Sequence, residues 1–310
     1  MYVQGDTVVV QAPAKLNLHF EVLGRRDDGF HEVETLMMAI GLYDSLYFSR
    51  QSSDRIDLEC DWGCGMATQR CDNPAYVLPT IGENLVHRAL CLLAKQAGRS
   101  PNIHVRLFKR IPLAAGLGGG SSDAAAALLA ANVIWKLGWS RAQLAELGAE
   151  LGSDIPFFLG PGVAICRGRG EQIQPWPTHG RLHFVIIRPP VGLSTKDVYC
   201  RCQPADCPQT VEEISWAVSQ GNVQRIGSKL FNRLEPAAQE LTPWIGKLRE
   251  ELDQLDVSGH QMSGSGSSYF ALCHHRRHAQ RIAKRLAGRR LGSVFCATSC
   301  TAATVNSMNN

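Results

Sequence analysis

The chain has 310 residues, 45% hydrophobic and 19% charged, with a formal net charge of +4. That length exceeds what one core usually fills, so two domains are expected, with the balance of an ordinary globular protein. The charge falls short of the strongly basic footprint of a nucleic-acid binder, and no stretch reaches the roughly 18 apolar residues of a membrane span.

The first 60 residues read as β structure. Thr7–Gln11 is rich in valine, and Lys15–Leu23 alternates, with Leu16, Leu18, Phe20 and Val22 on one face and Asn17, His19 and Glu21 on the other. Arg25–Gly29 reads as a solvated turn, Phe30–Ile40 as a returning strand, and Ser45–Arg50 and Arg55–Cys60 as further strands. Cys60–Thr80 is irregular. Glu83–Ala97 is a helix stopped by Gly98, Asn102–Lys109 a strand, and Ser122–Leu137 an Ala/Leu helix. Ser140 and Gln143 form a capping box for a helix that Gly152 ends.

A second unit begins near Arg181. Leu182–Arg188 is an apolar strand, Thr210 and Glu213 suggest a capped helix, and Thr242-Pro243 caps another. Then come Gly264-Ser265-Gly266, a strand at Tyr269–Cys273, a basic helix over Arg277–Ala287 and a strand near Val294–Ser299, with a frayed tail from Thr301. The basic helix with His274, His275 and Arg276 is read as a solvated amphipathic face, with Ile282 and Leu286 inward, in preference to a nucleic-acid or membrane patch. The amino terminus has no basic stretch followed by an apolar run, which argues against a secretory signal and for a cytoplasmic protein.

Eleven cysteines include no C-x-x-C pair. Two clusters, Cys60/Cys64/Cys71 and Cys200/Cys202/Cys207, admit a structural zinc. Reduced thiols are the favoured reading.

The segment with most chemical content is Pro112-Leu113-Ala114-Ala115-Gly116-Leu117-Gly118-Gly119-Gly120-Ser121-Ser122, between a strand and a long helix. Glycines let the backbone approach a ligand, and the helix behind offers free N–H groups and the positive end of its dipole, a setting for phosphate. It is neither a Walker A loop, since no Lys follows the glycines, nor the G-x-G-x-x-G fingerprint, since Ser121 takes the sixth position.

This stretch resembles the phosphate loop of the GHMP kinases. Two further segments fit: Ala12-Pro-Ala-Lys15-Leu-Asn17-Leu resembles their N-terminal motif, and Met262-Ser-Gly264-Ser-Gly266-Ser-Ser268 their C-terminal glycine motif. Within the family, Gly29-Phe30-His31, Gly152-Ser-Asp154-Ile-Pro156 and Ser194-Thr195-Lys196-Asp-Val-Tyr199 resemble the members that phosphorylate 4-diphosphocytidyl-2-C-methyl-D-erythritol in the non-mevalonate route to isoprenoids. Phe30 stands where those members usually carry tyrosine, and the cysteine clusters match nothing in them.

The resemblance implies an α+β, two-lobed fold with the active site in the cleft between lobes, residues 1–179 carrying the phosphate loop and 180–310 completing the substrate site. It implies transfer of the γ-phosphate of ATP, with Mg²⁺, to the 2-hydroxyl of that small molecule, by a monomer or weak homodimer without nucleic acid or membrane. ATP is expected along Pro112–Ser122, with Ser122 a weak candidate for Mg²⁺. The resemblance makes Asp154 the base, although an Asp between Ser153 and Pro156 also suits an Asx turn or helix cap. It makes Lys15 the electrostatic partner, a lysine that could otherwise snorkel from a strand. Phe30 and Tyr199 are expected to sandwich the cytosine and His31 to hydrogen-bond it, although either aromatic alone would pass for core. Asn17 and Thr195 are expected substrate contacts, and Gly264, Ser265 and Gly266 are expected to meet the diphosphate. A homoserine- or mevalonate-type kinase should lack Gly29-Phe30-His31, and a regulatory relative should have lost Lys15 or Asp154; all are present.

Overall fold

The computed structural model describes residues 1–63 and 77–300. Cys64, Cys71, most of the irregular segment and the tail from Thr301 lie outside the described residues.

The first half contributes β1 (Tyr2–Gln4), β2 (Thr7–Arg25), β3 (His31–Arg50), β4 (Ile56–Trp62), α1 (Leu85–Ala97), β5 (Ile103–Lys109), α2 (Gly119–Ile134), α3 (Arg141–Ala149), α4 (Ile155–Phe158), β6 (Val163–Arg167) and β7 (Gln172–Pro175). The second half contributes β8 (His183–Arg188), α5 (Thr195–Arg201), α6 (Glu212–Gln220), α7 (Val223–Ser228), β9 (Phe231–Asn232), α8 (Glu235–Leu241), α9 (Pro243–Asp253), β10 (Gly259–Met262), β11 (Tyr269–Cys273), α10 (Arg276–Ala287) and β12 (Ser293–Thr298).

Two sheets result. The larger runs β1-β2-β3-β5-β4, with β6 and β7 added beside β3 and the two-residue β9 added parallel to β2. The smaller is β10-β11-β8-β12, all antiparallel. β2 is the spine. Its even-numbered residues from Val8 to Val22 are all buried. Val8, Val10 and Ala12 enter a core roofed by α1, α2 and α3. Ala14, Leu16 and Leu18 enter a second core, shared with Phe184, Ile186 and Phe270 of the smaller sheet. Phe20 and Val22 enter a third, with Val185, Leu248 and Ile282. β8 is covered on both faces and therefore reads as an unbroken apolar run. Each such fully buried side chain stabilises the fold by about 1.5–3 kcal/mol.

Local signals hold in most places. Gly98 closes α1 in the left-handed region, at φ 60. The Ser140/Gln143 capping box is formed, and Thr242 caps α9 with Pro243 next. Turn hydrogen bonds close the β2–β3 hairpin at Arg26 and Gly29. α10 buries Ala279, Ile282 and Leu286 and exposes Arg277, Arg281, Lys284 and Arg285, an amphipathic helix with its basic face outward. Other boundaries differ. The strands expected at Phe30–Ile40 and Ser45–Arg50 are one strand, because irregular pairing beside Pro13/Ala14 carries the ladder past the break. α2 starts at Gly119, inside the glycine run, and not at Ser122. Val211, not Thr210, precedes α6, with no side-chain cap. α5 was not anticipated, because seven residues are too few to show a helical period.

Candidate active site

The odd-numbered face of β2 carries a polar row, Lys15, Asn17, His19 and Glu21, as deeply buried as the apolar face. Such groups need partners, and Lys15, Asn17 and Glu21 have them in their side chains. Lys15 Nζ donates to Asn17 Oδ1 at 2.6 Å, Asn17 Nδ2 donates to Thr35 Oγ1 at 2.8 Å, and Thr35 Oγ1 donates to the His19 carbonyl at 2.6 Å. This relay fixes the ammonium head, whose side chain is 5% exposed, at 3.6 Å from Asp154 Oδ2. Asp154 sits at the start of α4 but makes no capping hydrogen bond. Its carboxylate, 31% exposed, faces the cavity.

Glycines on both sides make room for Lys15. A Cβ on Gly118, at φ 68, would lie 3.0 Å from Lys15 Cγ. One on Gly264, at φ 55, would lie 3.2 Å from Lys15 Nζ and 3.0 Å from Asn17 Oδ1. The two glycine segments are also tied together. Lys15 N donates to the Leu117 carbonyl at 2.9 Å, Ser268 N to the Ala115 carbonyl at 3.1 Å, and Ser263 Oγ to the Gly116 carbonyl at 3.1 Å. Gly118 opens α2 without a side-chain cap, and no acidic residue lies in the first turn, so its leading N–H groups are left for an anion.

Beneath this loop lies a buried charge cluster that the sequence reading did not single out. Lys109 Nζ donates to Asp44 at 2.5 Å and to Asp123 at 2.6 Å, and Asp44 also accepts from the N–H groups of Arg110 and Ile111. It ties β3, the end of β5 and α2, through Asp123 past its first turn, into one frame. Burial pushes the Asp123 carboxyl well above the usual carboxylate range against the pull of Lys109, and Asp44 adds to the rise. The available signal was Lys109 itself, a charge at the end of an alternating apolar strand.

At the far end, the His31 ring lies 4.9 Å from the Tyr199 ring at 34°. Phe30 is 51% exposed, and the Arg169 guanidinium stands over its ring at 4.9 Å. Burial, then the charge of Arg25, holds the His31 imidazole below its ordinary value, and burial pushes the Tyr199 phenol up. Thr195 Oγ1 and Ser265 Oγ are 2.9 Å apart, linking α5 to the second glycine segment.

One cavity of about 1010 Å³ joins these parts. Lys15, Asp154, Pro112 through Ser121, Phe30, His31, Thr195, Tyr199 and Gly264 through Gly266 all line it. Asn17 stands behind Lys15. Ser122 is 1% exposed and is not among the lining residues; its neighbour Ser121 is. Three further cations line the wall: Arg25, expected in a solvated turn, with Arg169 and Lys196. Arg26 is the turn arginine, paired with Asp28 and Glu32. Cys200 and Cys202 line it too. Among the described residues, no three His, Cys, Asp or Glu side chains converge as metal ligands.

Residues 84–162 match the model of the GHMP kinases N terminal domain, and residues 214–291 that of the GHMP kinases C terminal. The chain is 39% identical to the 4-diphosphocytidyl-2-C-methyl-D-erythritol kinase of Pelotomaculum thermopropionicum, over 90% of this chain and 93% of that protein. It is 36% identical to the enzyme of the same name from Shouchella clausii, over 90% of each. A crystal structure of 4-(cytidine 5'-diphospho)-2C-methyl-D-erythritol kinase superposes with a TM-score of 0.76 at 34% identity, covering 94% of this chain and 98% of that one. A homoserine kinase from Cytophaga hutchinsonii, 20% identical with a TM-score of 0.70 and 97% coverage of both chains, shares the fold.

Proposed function

The chain belongs to the 4-diphosphocytidyl-2-C-methyl-D-erythritol kinases of the GHMP family, and on that premise we propose that it transfers the γ-phosphate of ATP to the 2-hydroxyl of 4-diphosphocytidyl-2-C-methyl-D-erythritol. The observation that carries the residue assignment is the Lys15–Asp154 pair, 3.6 Å apart, between a phosphate loop and an aromatic platform in one cavity.

Phosphoryl transfer asks for positioning, charge neutralisation and a destination for the nucleophile's proton. The free N–H groups around Gly118–Ser121 hold the nucleotide's phosphates. Phe30, His31 and Tyr199 hold the cytosine, Thr195 and Asn17 contact the substrate, and Gly264–Gly266 approach its diphosphate. Asp154, uncommitted to capping, accepts the hydroxyl proton, and Lys15, oriented by Asn17, stabilises the oxygen as negative charge builds on it. The residues present fit Mg²⁺. Asp154 is the one carboxylate among the described lining residues, and Mg²⁺ in kinases is held largely by phosphates and water. The Ser121–Ser122 hydroxyls are the protein's other candidates, and bound Mg²⁺ would neutralise phosphate charge. The reading includes a cytoplasmic monomer or weak homodimer acting on a small molecule, without nucleic acid or membrane. Among the described residues no helix is long and apolar enough to cross a membrane.

The test is ADP release from Mg-ATP with the cytidyl acceptor, homoserine and mevalonate in parallel. Turnover with the cytidyl acceptor alone is expected. Turnover with another alcohol only would keep the kinase and remove this acceptor.

A further inference from the structure

The cavity's four cations are held differently. Lys15 is committed to Asn17 and Asp154. Arg25 and Lys196 are exposed at the rim. Arg169 is the half-buried one, its side chain 29% exposed. It sits in the turn between β6 and β7, and that turn is built by Glu171. The Glu171 carboxylate accepts the Arg169 backbone N–H at 2.7 Å and stands 3.9 Å from its Nε, at the outer limit of an ion pair. The guanidinium therefore keeps its donors while it stands over the Phe30 ring. The next residue, Gly170, runs close to the acidic centre: a Cβ there would lie 3.9 Å from Asp154 Oδ1 and 3.6 Å from Ser153 Cβ. Arg169 thus occupies the stretch of wall between the aromatic platform and Asp154.

An acceptor with its base on the platform and its hydroxyl at Asp154 must lay its diphosphate along this stretch. We propose that Arg169 is a specificity-determining residue that recognises the acceptor's diphosphate through its planar fork, a role that rests on the cytidyl-acceptor reading above. Backbone N–H groups of the Gly264–Gly266 segment would meet the diphosphate from the opposite lobe, and Arg169 supplies the countercharge that uncharged backbone lacks. A cation already standing over Phe30 loses little further freedom on binding.

Two ligand pairs test this. Calorimetry of wild type and Arg169→Ala with cytidine and with cytidine 5'-diphosphate separates base from diphosphate. The expected result is cytidine binding unchanged and cytidine diphosphate weakened about 10- to 100-fold in the variant, with Arg169→Lys between. Steady-state kinetics should show the same rise in KM for the acceptor, with KM for ATP and the melting temperature unchanged. Equal weakening of both ligands would assign Arg169 to the base and overturn the proposal. So would a fall in kcat at constant KM, or no change in any readout. Wild-type enzyme that turns over a different alcohol and binds neither cytidyl ligand would sink the acceptor reading, and the role of Arg169 with it.

Discussion

Lys15 is effective because of what surrounds it. An ammonium so buried costs free energy unless it is paired, and here an amide oxygen orients it while a carboxylate balances it from the open side. Replacing Asp154 by Asn keeps the shape and removes the proton acceptor, so kcat should fall by about 10²–10⁴ while the Kd for ATP is unchanged in a binding titration. An unchanged kcat would exclude Asp154 as base. His31 belongs to the same scale. Its imidazole is held below its ordinary 6.5, so it stays neutral at pH 7 and above. Cytidine affinity should hold between pH 8 and 7 and fall at acid pH as the imidazole protonates; a decline already between pH 8 and 7 would contradict this. The Lys109 cluster makes a stability prediction. Asp44 accepts from Lys109 and from two backbone N–H groups, so Asp44→Ala should lower the unfolding free energy by about 3–5 kcal/mol in urea titrations. Asp123→Asn, at a carboxyl pushed toward its neutral form, should cost clearly less. Equal losses would refute that distinction.

Among the elements, Glu21 shows how one strand is held to the second half of the chain. Its carboxylate accepts from Arg233 Nε at 2.7 Å, from Arg233 Nη2 at 2.8 Å and from Gln209 N at 2.8 Å. Burial pushes this carboxyl up, but the guanidinium fork and the N–H groups of Gln209 and Val22 outweigh it and hold it below the ordinary 4.5. A carboxyl lowered by folding stabilises the protein above its unfolded value and loses that contribution as pH falls through the folded one. The acid side of the stability curve, below pH 4.5, should therefore flatten in Glu21→Gln. The glycine segments are governed by space. Gly264→Ala would press on Lys15 and Asn17 from a left-handed backbone, and kcat should drop on the order of a hundredfold with far-UV circular dichroism unchanged. Much of this was legible in advance. The glycine loop, the alternation of β2 and the caps at Ser140 and Thr242 are local patterns with local causes. Arg169, Lys109 and Asp44 were not, because what sets them apart is a partner distant in sequence: Phe30 for Arg169, Asp44 for Lys109, and Lys109 with the N–H groups of Arg110 and Ile111 for Asp44. α5 was hidden by its shortness.

For the molecule as a whole, we propose 179/180 as the division between the halves, yet the cores cross it. Leu16 packs in one cluster with Phe184, and Phe20 in another with Leu248. The intact chain should therefore unfold in a single calorimetric transition, and residues 180–310 expressed alone should lack cooperative unfolding, since they forfeit the apolar face of β2. Two separate transitions would show independent domains. The pairing that seals the site also has a cost in time. Gln261 donates to the Asn17 carbonyl across 244 residues of chain. At about 5–20 residues per second on the ribosome, that spacing amounts to roughly 12–50 seconds between the synthesis of one partner and of the other. During that interval the polar face of β2 and half of its apolar face wait for strands that do not yet exist. The nascent chain thus exposes an unfinished ribbon, a natural client for whatever shields apolar surface during translation.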